Sequence, residues 1–132
     1  MHMVWPIHPR TVKMIKQFGL RIPTSIQCVE PVGYLEFLQM EKNARLILTD
    51  SGGIQEEACI LKIPCVTLRE NTERPETLYV GSNMLAGTDP KKIVKCCKTM
   101  LEKQPIWNNP FGDGTSAKKI IDILTTSLGD LI

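Results

Sequence analysis

The chain has 132 residues, of which 42% are hydrophobic and 23% are charged, and its formal net charge is +2. These values are average for a soluble globular protein and fit one domain of ordinary size, residues 1–132. A charge this small gives no reason to expect nucleic acid or an acidic membrane surface as a partner. No apolar run approaches the roughly 18 residues that a membrane-spanning helix needs.

The cysteines indicate a reducing compartment. They are odd in number and include no Cys-x-x-Cys pair, so we expect reduced, buried thiols in a cytoplasmic protein. Neither His2 nor His8 has a cysteine at the spacing of zinc ligands, and we predict no metal site. The cysteines are Cys28, Cys59, Cys65, Cys96 and Cys97.

Strands and helices are predicted to alternate along the whole chain. A strand at residues 4–7 precedes a helix at 9–18, and Gly19 fits the position after that helix's C-cap. Such alternation is typical of an α/β fold in which helices cover both faces of a parallel sheet. The other predicted strands are 25–29, 45–49, 64–68 and 83–86, and the other predicted helices are 34–42, 53–62, 76–80, 90–103 and 115–128.

Helical spacing predicts which side chains face the core. Leu35 and Leu38 are expected to face inward from the second helix, with Phe37 beside them. The apolar face of the helix at 90–103 comprises Ile93, Cys97, Met100 and Leu101.

Three polar groups follow predicted strands: His8, Ser51 and the loop 69–74. Ligands of parallel α/β sheets bind beyond the carboxyl ends of the strands. We therefore expect a binding site at this edge of the sheet.

Residues 49–57, Thr-Asp-Ser-Gly-Gly-Ile-Gln-Glu-Glu, join the third strand to the third helix. The N–H groups at a helix start are unpaired and lie at the positive end of the dipole, where phosphate binds. A plain turn with Ser51 as the N-cap explains these residues equally well. Glu56 and Glu57 either complement the helix dipole, or one of them accepts hydrogen bonds from sugar hydroxyls.

Arg74 and His8 are the other candidate ligand-binding groups. Pro75 restricts the backbone of Arg74, so its guanidinium could clamp a phosphate. A solvent-exposed loop is the alternative interpretation. His8 could hydrogen-bond a phosphate or stabilise a leaving group, although a lone histidine after a strand is more often structural.

Several segments resemble, in order and spacing, those of the non-hydrolysing UDP-N-acetylglucosamine 2-epimerases. The resemblance implies the carboxyl-terminal, UDP-binding half of such an enzyme. That half is one Rossmann-like, doubly wound parallel sheet of a GT-B-type two-domain architecture. The segments are 6–9 (Pro-Ile-His-Pro), 31–37, 48–58, 72–76 (Thr-Glu-Arg-Pro-Glu), 85–89 and 109–114.

The resemblance also implies residue roles. Phe37 is implied to contact the uracil, although helical spacing assigns it to the core, and Glu57 to contact the ribose. The Ser-Gly-Gly segment is implied to hold the diphosphate, Arg74 to face a phosphate, and His8 to support catalysis. The implied UDP-binding residues are thus Phe37, Ser51, Gly52, Gly53, Glu57 and Arg74.

Members of this family interconvert UDP-N-acetylglucosamine and UDP-N-acetylmannosamine by eliminating and re-adding UDP, and no cofactor is expected. Their acid and base carboxylates belong to the amino-terminal half, so we expect this chain alone to be inactive and to need that half as a partner. Apolar surface that the half normally covers would favour a homo-oligomer. Bacterial members that are activated by substrate carry a histidine shortly after the position of Phe37. Leu38 follows Phe37 in this chain, so we do not expect activation by substrate.

Two other functions stay open at this point. The chain could be the donor-nucleotide-binding half of a split GT-B glycosyltransferase, which is not expected to carry both the 72–76 and the 109–114 segments. It could also be a non-catalytic nucleotide-binding remnant, which would bind UDP without turnover.

Overall fold

The computed structural model describes residues 2–129, with side chains described for residues 2–126. The chain divides into two compact units, residues 1–40 and residues 41–132. The helix α2 begins in the first unit and ends in the second.

The first unit contains a two-stranded parallel sheet. Strand β1 (Met3–Pro6) pairs with β2 (Ile26–Val29) along their whole length. Helix α1 (Pro9–Gln17) connects them, and it begins with proline in the first turn, where the missing N–H costs nothing. Gly19 follows with a φ of 61°, which confirms the predicted position after the C-cap. Helix α2 (Tyr34–Lys42) has the predicted bounds.

The second unit contains a three-stranded parallel sheet in the order β3-β4-β5. Leu48 lies opposite Val66, and Val66 lies opposite Met84. The strands alternate with helices as predicted, which confirms an α/β fold, although the described strands form two sheets rather than one. The elements are β3 (Ile47–Thr49), α3 (Gly52–Ile60), β4 (Cys65–Thr67), α4 (Pro75–Tyr79), β5 (Asn83–Leu85), α5 (Pro90–Leu101) and α6 (Ser116–Gly129).

The core of the second unit lies between the sheet and α5. Val66 and Ala86 of the sheet region pack with Cys96 and Met100 of α5, all of them buried. Ile93 and Cys97 pack against this cluster, so the predicted apolar face of α5 is largely confirmed. Asp89 caps the helix by accepting a hydrogen bond from the Lys91 N–H at 3.1 Å.

The predicted inward face of α2 is partly wrong. Leu35 is 75% exposed, whereas Phe37 and Leu38 are half-buried and Glu41 is the buried residue of the helix. At 3.6 residues per turn, Leu35 lies roughly 120° around the helix from Glu41, on a different face.

All five cysteines are free thiols, and Cys59, Cys65 and Cys96 are buried as expected, whereas Cys28 is exposed. Burial raises the pKa of the Cys65 thiol to about 12, so this group stays protonated and unreactive. No helix within residues 2–129 is long and apolar enough to cross a membrane.

Candidate functional site

The turn between β3 and α3 is built by short side chains that satisfy its backbone. Thr49 Oγ1 accepts a hydrogen bond from the Ser51 N–H at 3.0 Å. Ser51 is the N-cap of α3, and its Oγ accepts from the Ile54 N–H at 3.5 Å. The predicted cap is therefore confirmed. It leaves the N–H groups of Gly52 and Gly53 in the first helical turn, where α-helix geometry provides no partner.

The chain's own structure does not require glycine at positions 52 and 53. Neither residue has a positive φ. A Cβ on Gly52 would meet the Glu73 carboxylate at 3.5 Å, and a Cβ on Gly53 would meet Ser51 Oγ at 3.9 Å, both ordinary contacts. Glycine also lowers helix stability relative to alanine. A bound molecule that approaches the backbone closely would account for both residues.

The loop after β4 lies against this turn. Arg69 Nη1 contacts the Glu73 carboxylate at 3.1 Å and the Asp50 carbonyl oxygen at 3.5 Å. The Glu73 backbone N–H and the Arg69 guanidinium hold the pKa of Glu73 below its usual value, so Glu73 is ionised. A cleft of about 290 Å³ is lined by Arg69, Asn71, Thr72 and Glu73.

Arg74 forms an ion pair with Glu56 of α3, between Nε and Oε1. About a third of each side chain is exposed. Arg74 Nη1 also donates to the Glu73 carbonyl oxygen at 3.0 Å. Glu56 therefore has a direct partner, and the first turn of α3 contains no acidic residue, so the expected dipole role of Glu56 in that turn is wrong. The two residues are 18 positions apart, and no local pattern in the sequence predicts this contact.

Glu57, half-buried on α3, has a second carboxyl group nearby. Glu41 is only 3% exposed, and neither of its oxygens has a hydrogen-bond partner. Burial, and after it the charge of Glu57, raises the pKa of Glu41 to about 7. The burial of Glu41 could not be predicted from local spacing, since a glutamate at a helix end is ordinarily exposed.

This buried carboxyl group predicts a dependence of stability on pH. The Glu41 pKa rises from 4.5 to about 7 on folding, so between these values the folded chain binds more protons than the unfolded one. The free energy of unfolding should therefore fall as pH rises through this window and level off above it. Glu41→Gln should remove the decline and raise stability at pH 8 by on the order of 2 kcal/mol.

The measurement is urea unfolding at pH 5.5 and pH 8 for the parent and for Glu41→Gln. Glu102→Gln, at an exposed position, is the matched control and should retain the parent's pH dependence. Equal declines in the parent and in Glu41→Gln would contradict the assignment.

His8 and Phe37 belong to the first unit. His8 is exposed and caps α1, with Nδ1 accepting from the Arg10 N–H at 3.2 Å. A neutral imidazole that accepts at Nδ1 carries its proton on Nε2, which makes Nε2–H a donor. Ile7 and Pro9, on either side of His8, line a cleft of about 580 Å³ in this unit. The ring of Phe37 is half-buried rather than enclosed in a core.

Within the second unit, the structure brings most of the predicted phosphate-binding residues together. The Ser51–Gly53 turn and the Arg74 loop adjoin through the Arg69 contact and through the Glu56 ion pair. Within the described part of the chain, no three His, Cys, Asp or Glu side chains are grouped so as to hold a metal ion.

A helix start with unpaired N–H groups and an adjacent arginine, at the carboxyl ends of parallel strands, is typical of Rossmann-like domains that bind phosphorylated ligands. The family model described as UDP-N-acetylglucosamine 2-epimerase matches residues 1–125. The chain therefore belongs to the UDP-N-acetylglucosamine 2-epimerase family.

Individual relatives agree with this assignment. The chain is 61% identical over 127 residues to a UDP-N-acetylglucosamine 2-epimerase of Methanococcus maripaludis, and the match covers 93% of this chain and 35% of that relative. A solved UDP-GlcNAc 2-epimerase of Methanocaldococcus jannaschii, in complex with UDP-GlcNAc and UDP, is 57% identical with a TM-score of 0.85. That match covers 93% of this chain and 35% of the solved chain.

A more distant solved enzyme has the same fold. The UDP-GlcNAc 2-epimerase of Neisseria meningitidis, bound to UDP-GlcNAc, is 33% identical with a TM-score of 0.73, and the match covers 93% of this chain and 36% of that one. The Rossmann-like fold class predicted from the sequence is thus confirmed. The chain spans about a third of the length of these relatives, and the comparisons favour an epimerase over a split glycosyltransferase.

Proposed function

We propose that residues 1–132 act as a single UDP-binding domain of a UDP-N-acetylglucosamine 2-epimerase. The observation that carries this proposal is the turn at Gly52 and Gly53, where neither backbone conformation nor packing demands glycine, next to Arg74. The relative from Methanocaldococcus jannaschii, solved with UDP-GlcNAc and UDP, supports UDP as the ligand.

Each predicted site residue has a chemical task in this proposal. The amides of Gly52 and Gly53, with Ser51, bind the diphosphate, and Arg74 adds a charge-assisted contact to a phosphate. Glu57 accepts hydrogen bonds from the ribose, and Phe37 contacts the uracil. His8 supports catalysis from Nε2.

The proposed reaction interconverts UDP-N-acetylglucosamine and UDP-N-acetylmannosamine. A base removes the proton at C2 of the sugar, the C1–O bond to UDP breaks, and a 2-acetamidoglucal forms. UDP then adds back to C1 while a proton returns to the opposite face of C2. Negative charge develops on the departing diphosphate, where the amides and Arg74 would stabilise it.

The groups that move the C2 proton are proposed to lie in an amino-terminal half outside this chain. The chain alone is then inactive, and that half is a required partner. We also propose a cytoplasmic location, consistent with free thiols at all five cysteines. A homo-oligomer is proposed because large apolar side chains such as Ile120 and Ile123 of α6 are exposed.

Complementation tests this function. The chain is mixed with a separately produced amino-terminal half of the Methanococcus maripaludis relative, and solvent deuterium entry at C2 of UDP-N-acetylglucosamine is followed by NMR. We expect exchange in the mixture and none with either half alone. A complex that binds UDP without exchange would favour a non-catalytic remnant instead.

His8 can be tested separately from its capping role. Asparagine is among the most favourable N-cap residues, so His8→Asn should preserve α1 and leave the melting temperature unchanged. It removes the imidazole, and we expect the exchange rate in the complemented mixture to fall by about a hundredfold. His8→Ala should lose the same activity and, in addition, about 1 kcal/mol of stability. Full activity in His8→Asn would leave His8 with the capping role alone.

A further inference from the structure

A buried network of polar side chains lies beneath the phosphate-binding turn. The side chains of Gln55, Thr67, Thr77, Ser82 and Asn83 are almost fully shielded from solvent. Buried amide and hydroxyl groups are costly unless they are hydrogen-bonded, and a fully connected network of them is rigid.

Gln55 contacts both parts of the proposed site. Its Nε2 donates to the Ser51 carbonyl oxygen at 3.0 Å, directly at the glycine turn. Its Oε1 accepts from Thr72 Oγ1 at 2.5 Å and from Asn83 Nδ2 at 3.2 Å. These partners fix the orientation of the amide, because reversal would place its NH₂ against a donor and its oxygen against a carbonyl.

The network also holds the backbone of Arg74 from both sides. Thr72 Oγ1 accepts from the Arg74 N–H at 3.0 Å, and Thr77 Oγ1 donates to the Arg74 carbonyl oxygen at 2.7 Å. Asn83 Nδ2 donates to Thr77 Oγ1 at 3.1 Å, and Asn83 Oδ1 accepts from Thr67 Oγ1 at 2.9 Å. Each hydroxyl that holds Arg74 is therefore bonded onward to Gln55 or Asn83.

We propose that Gln55 and Thr72 are positioning residues for the diphosphate site. They join the Ser51–Gly53 turn to the Arg74 backbone, so that the amide donors and the guanidinium are held in one arrangement before a diphosphate binds. Ordering a mobile loop on binding lowers affinity, and a loop that is already fixed avoids that loss. This inference rests on the proposed function, since it assumes that a diphosphate binds here.

Thr72 is the better residue to test because it is only half-buried. Thr72→Val keeps the shape and removes the hydroxyl, whereas Thr72→Ser keeps the hydroxyl. We expect Thr72→Val to weaken UDP binding by about tenfold and uridine binding by less than about twofold, because uridine lacks the diphosphate. Thr72→Ser should stay within about twofold of the parent for both ligands.

Two controls separate positioning from general loss of stability. Trp107→Phe removes a buried indole N–H that donates to the Cys59 carbonyl oxygen at 3.0 Å, near the carboxyl end of α3 and outside this network. It should lower the melting temperature without a loss specific to UDP. In an Arg74→Ala background, Thr72→Val should weaken UDP binding by less than it does in the parent, since the guanidinium that it helps to position is gone.

The ligands are titrated by NMR, and melting temperatures are recorded for every variant. A parent chain that does not bind UDP would overturn the proposed function and this inference together. A parent that binds UDP with Thr72→Val unaffected, or with equal losses for UDP and uridine, would overturn this inference alone. If Thr72→Val does not fold, Thr72→Ala removes the same hydroxyl without adding bulk and is judged by the same outcomes.

Discussion

Arg74→Ala should weaken UDP binding by about thirtyfold, which corresponds to about 2 kcal/mol. A guanidinium donates in a planar fork that matches phosphate oxygens, and such charge-assisted bonds are stronger than neutral ones. In the structure, Arg74 uses Nε toward Glu56 and Nη1 toward the Glu73 carbonyl oxygen. The remaining N–H groups can donate to a ligand without breaking either contact.

The ion pair with Glu56 determines how a loss of UDP affinity in Arg74→Ala should be interpreted. A flexible arginine would have to be ordered by the ligand, whereas the pair with Glu56 orients the guanidinium beforehand. Arg74→Lys retains the charge but has no planar fork, so we expect it to recover only part of the lost affinity. Isothermal titration with UDP measures both variants.

Arg45→Ala is the matched control for Arg74→Ala. Arg45 is an exposed arginine of the same unit, just ahead of β3. Its removal changes the net charge equally and should leave UDP affinity within about twofold, since exposed charges are largely screened. Equal losses in the two variants would mean that Arg74 acts only through overall charge, and no loss in either would remove Arg74 from the site.

Structural features that depend on a few neighbouring residues, such as helix ends and caps, could be predicted from the sequence. Pro9 and Gly19 at the ends of α1 and Ser51 as a cap all follow from local backbone chemistry, and the structure contains each of them. The alternation of strands and helices follows from the same signals.

Contacts between distant positions could not be predicted in this way. The Arg74–Glu56 pair and the bond from Thr72 to Gln55 join residues 17 or 18 positions apart, and neither has a sequence period. Gln55 in particular looks like an ordinary helical residue, because what distinguishes it is complete burial between two loops. The burial of Glu41 likewise depends on neighbours that local spacing does not specify.

Gly52→Ala should separate ligand binding from folding most sharply. A methyl group at position 52 fits the folded chain, since the Glu73 carboxylate lies 3.5 Å from its Cβ and is the end of an exposed side chain. Position 52 also has no positive φ, so the backbone conformation there does not strain an alanine. Replacing glycine by alanine at such a helical site stabilises a protein by about 0.4–1 kcal/mol through the unfolded state.

Binding should change in the opposite direction. A diphosphate held by the first-turn amides must approach the backbone, and a Cβ at position 52 would occupy part of that space. We expect Gly52→Ala to weaken UDP binding by at least about tenfold while the melting temperature is unchanged or higher. Gly114→Ala is a contrasting variant, because its φ of 82° makes alanine strained there although nothing lies within 4 Å of its Cβ.

The two glycine variants give opposite patterns if the site is correctly placed. Gly114→Ala should lower the melting temperature and keep UDP affinity, whereas Gly52→Ala should keep the melting temperature and lose affinity. Thermal unfolding by circular dichroism and titration with UDP measure the two quantities on the same samples. If Gly52→Ala binds UDP as tightly as the parent, the ligand does not approach this turn, and its glycines would need another explanation than a bound diphosphate.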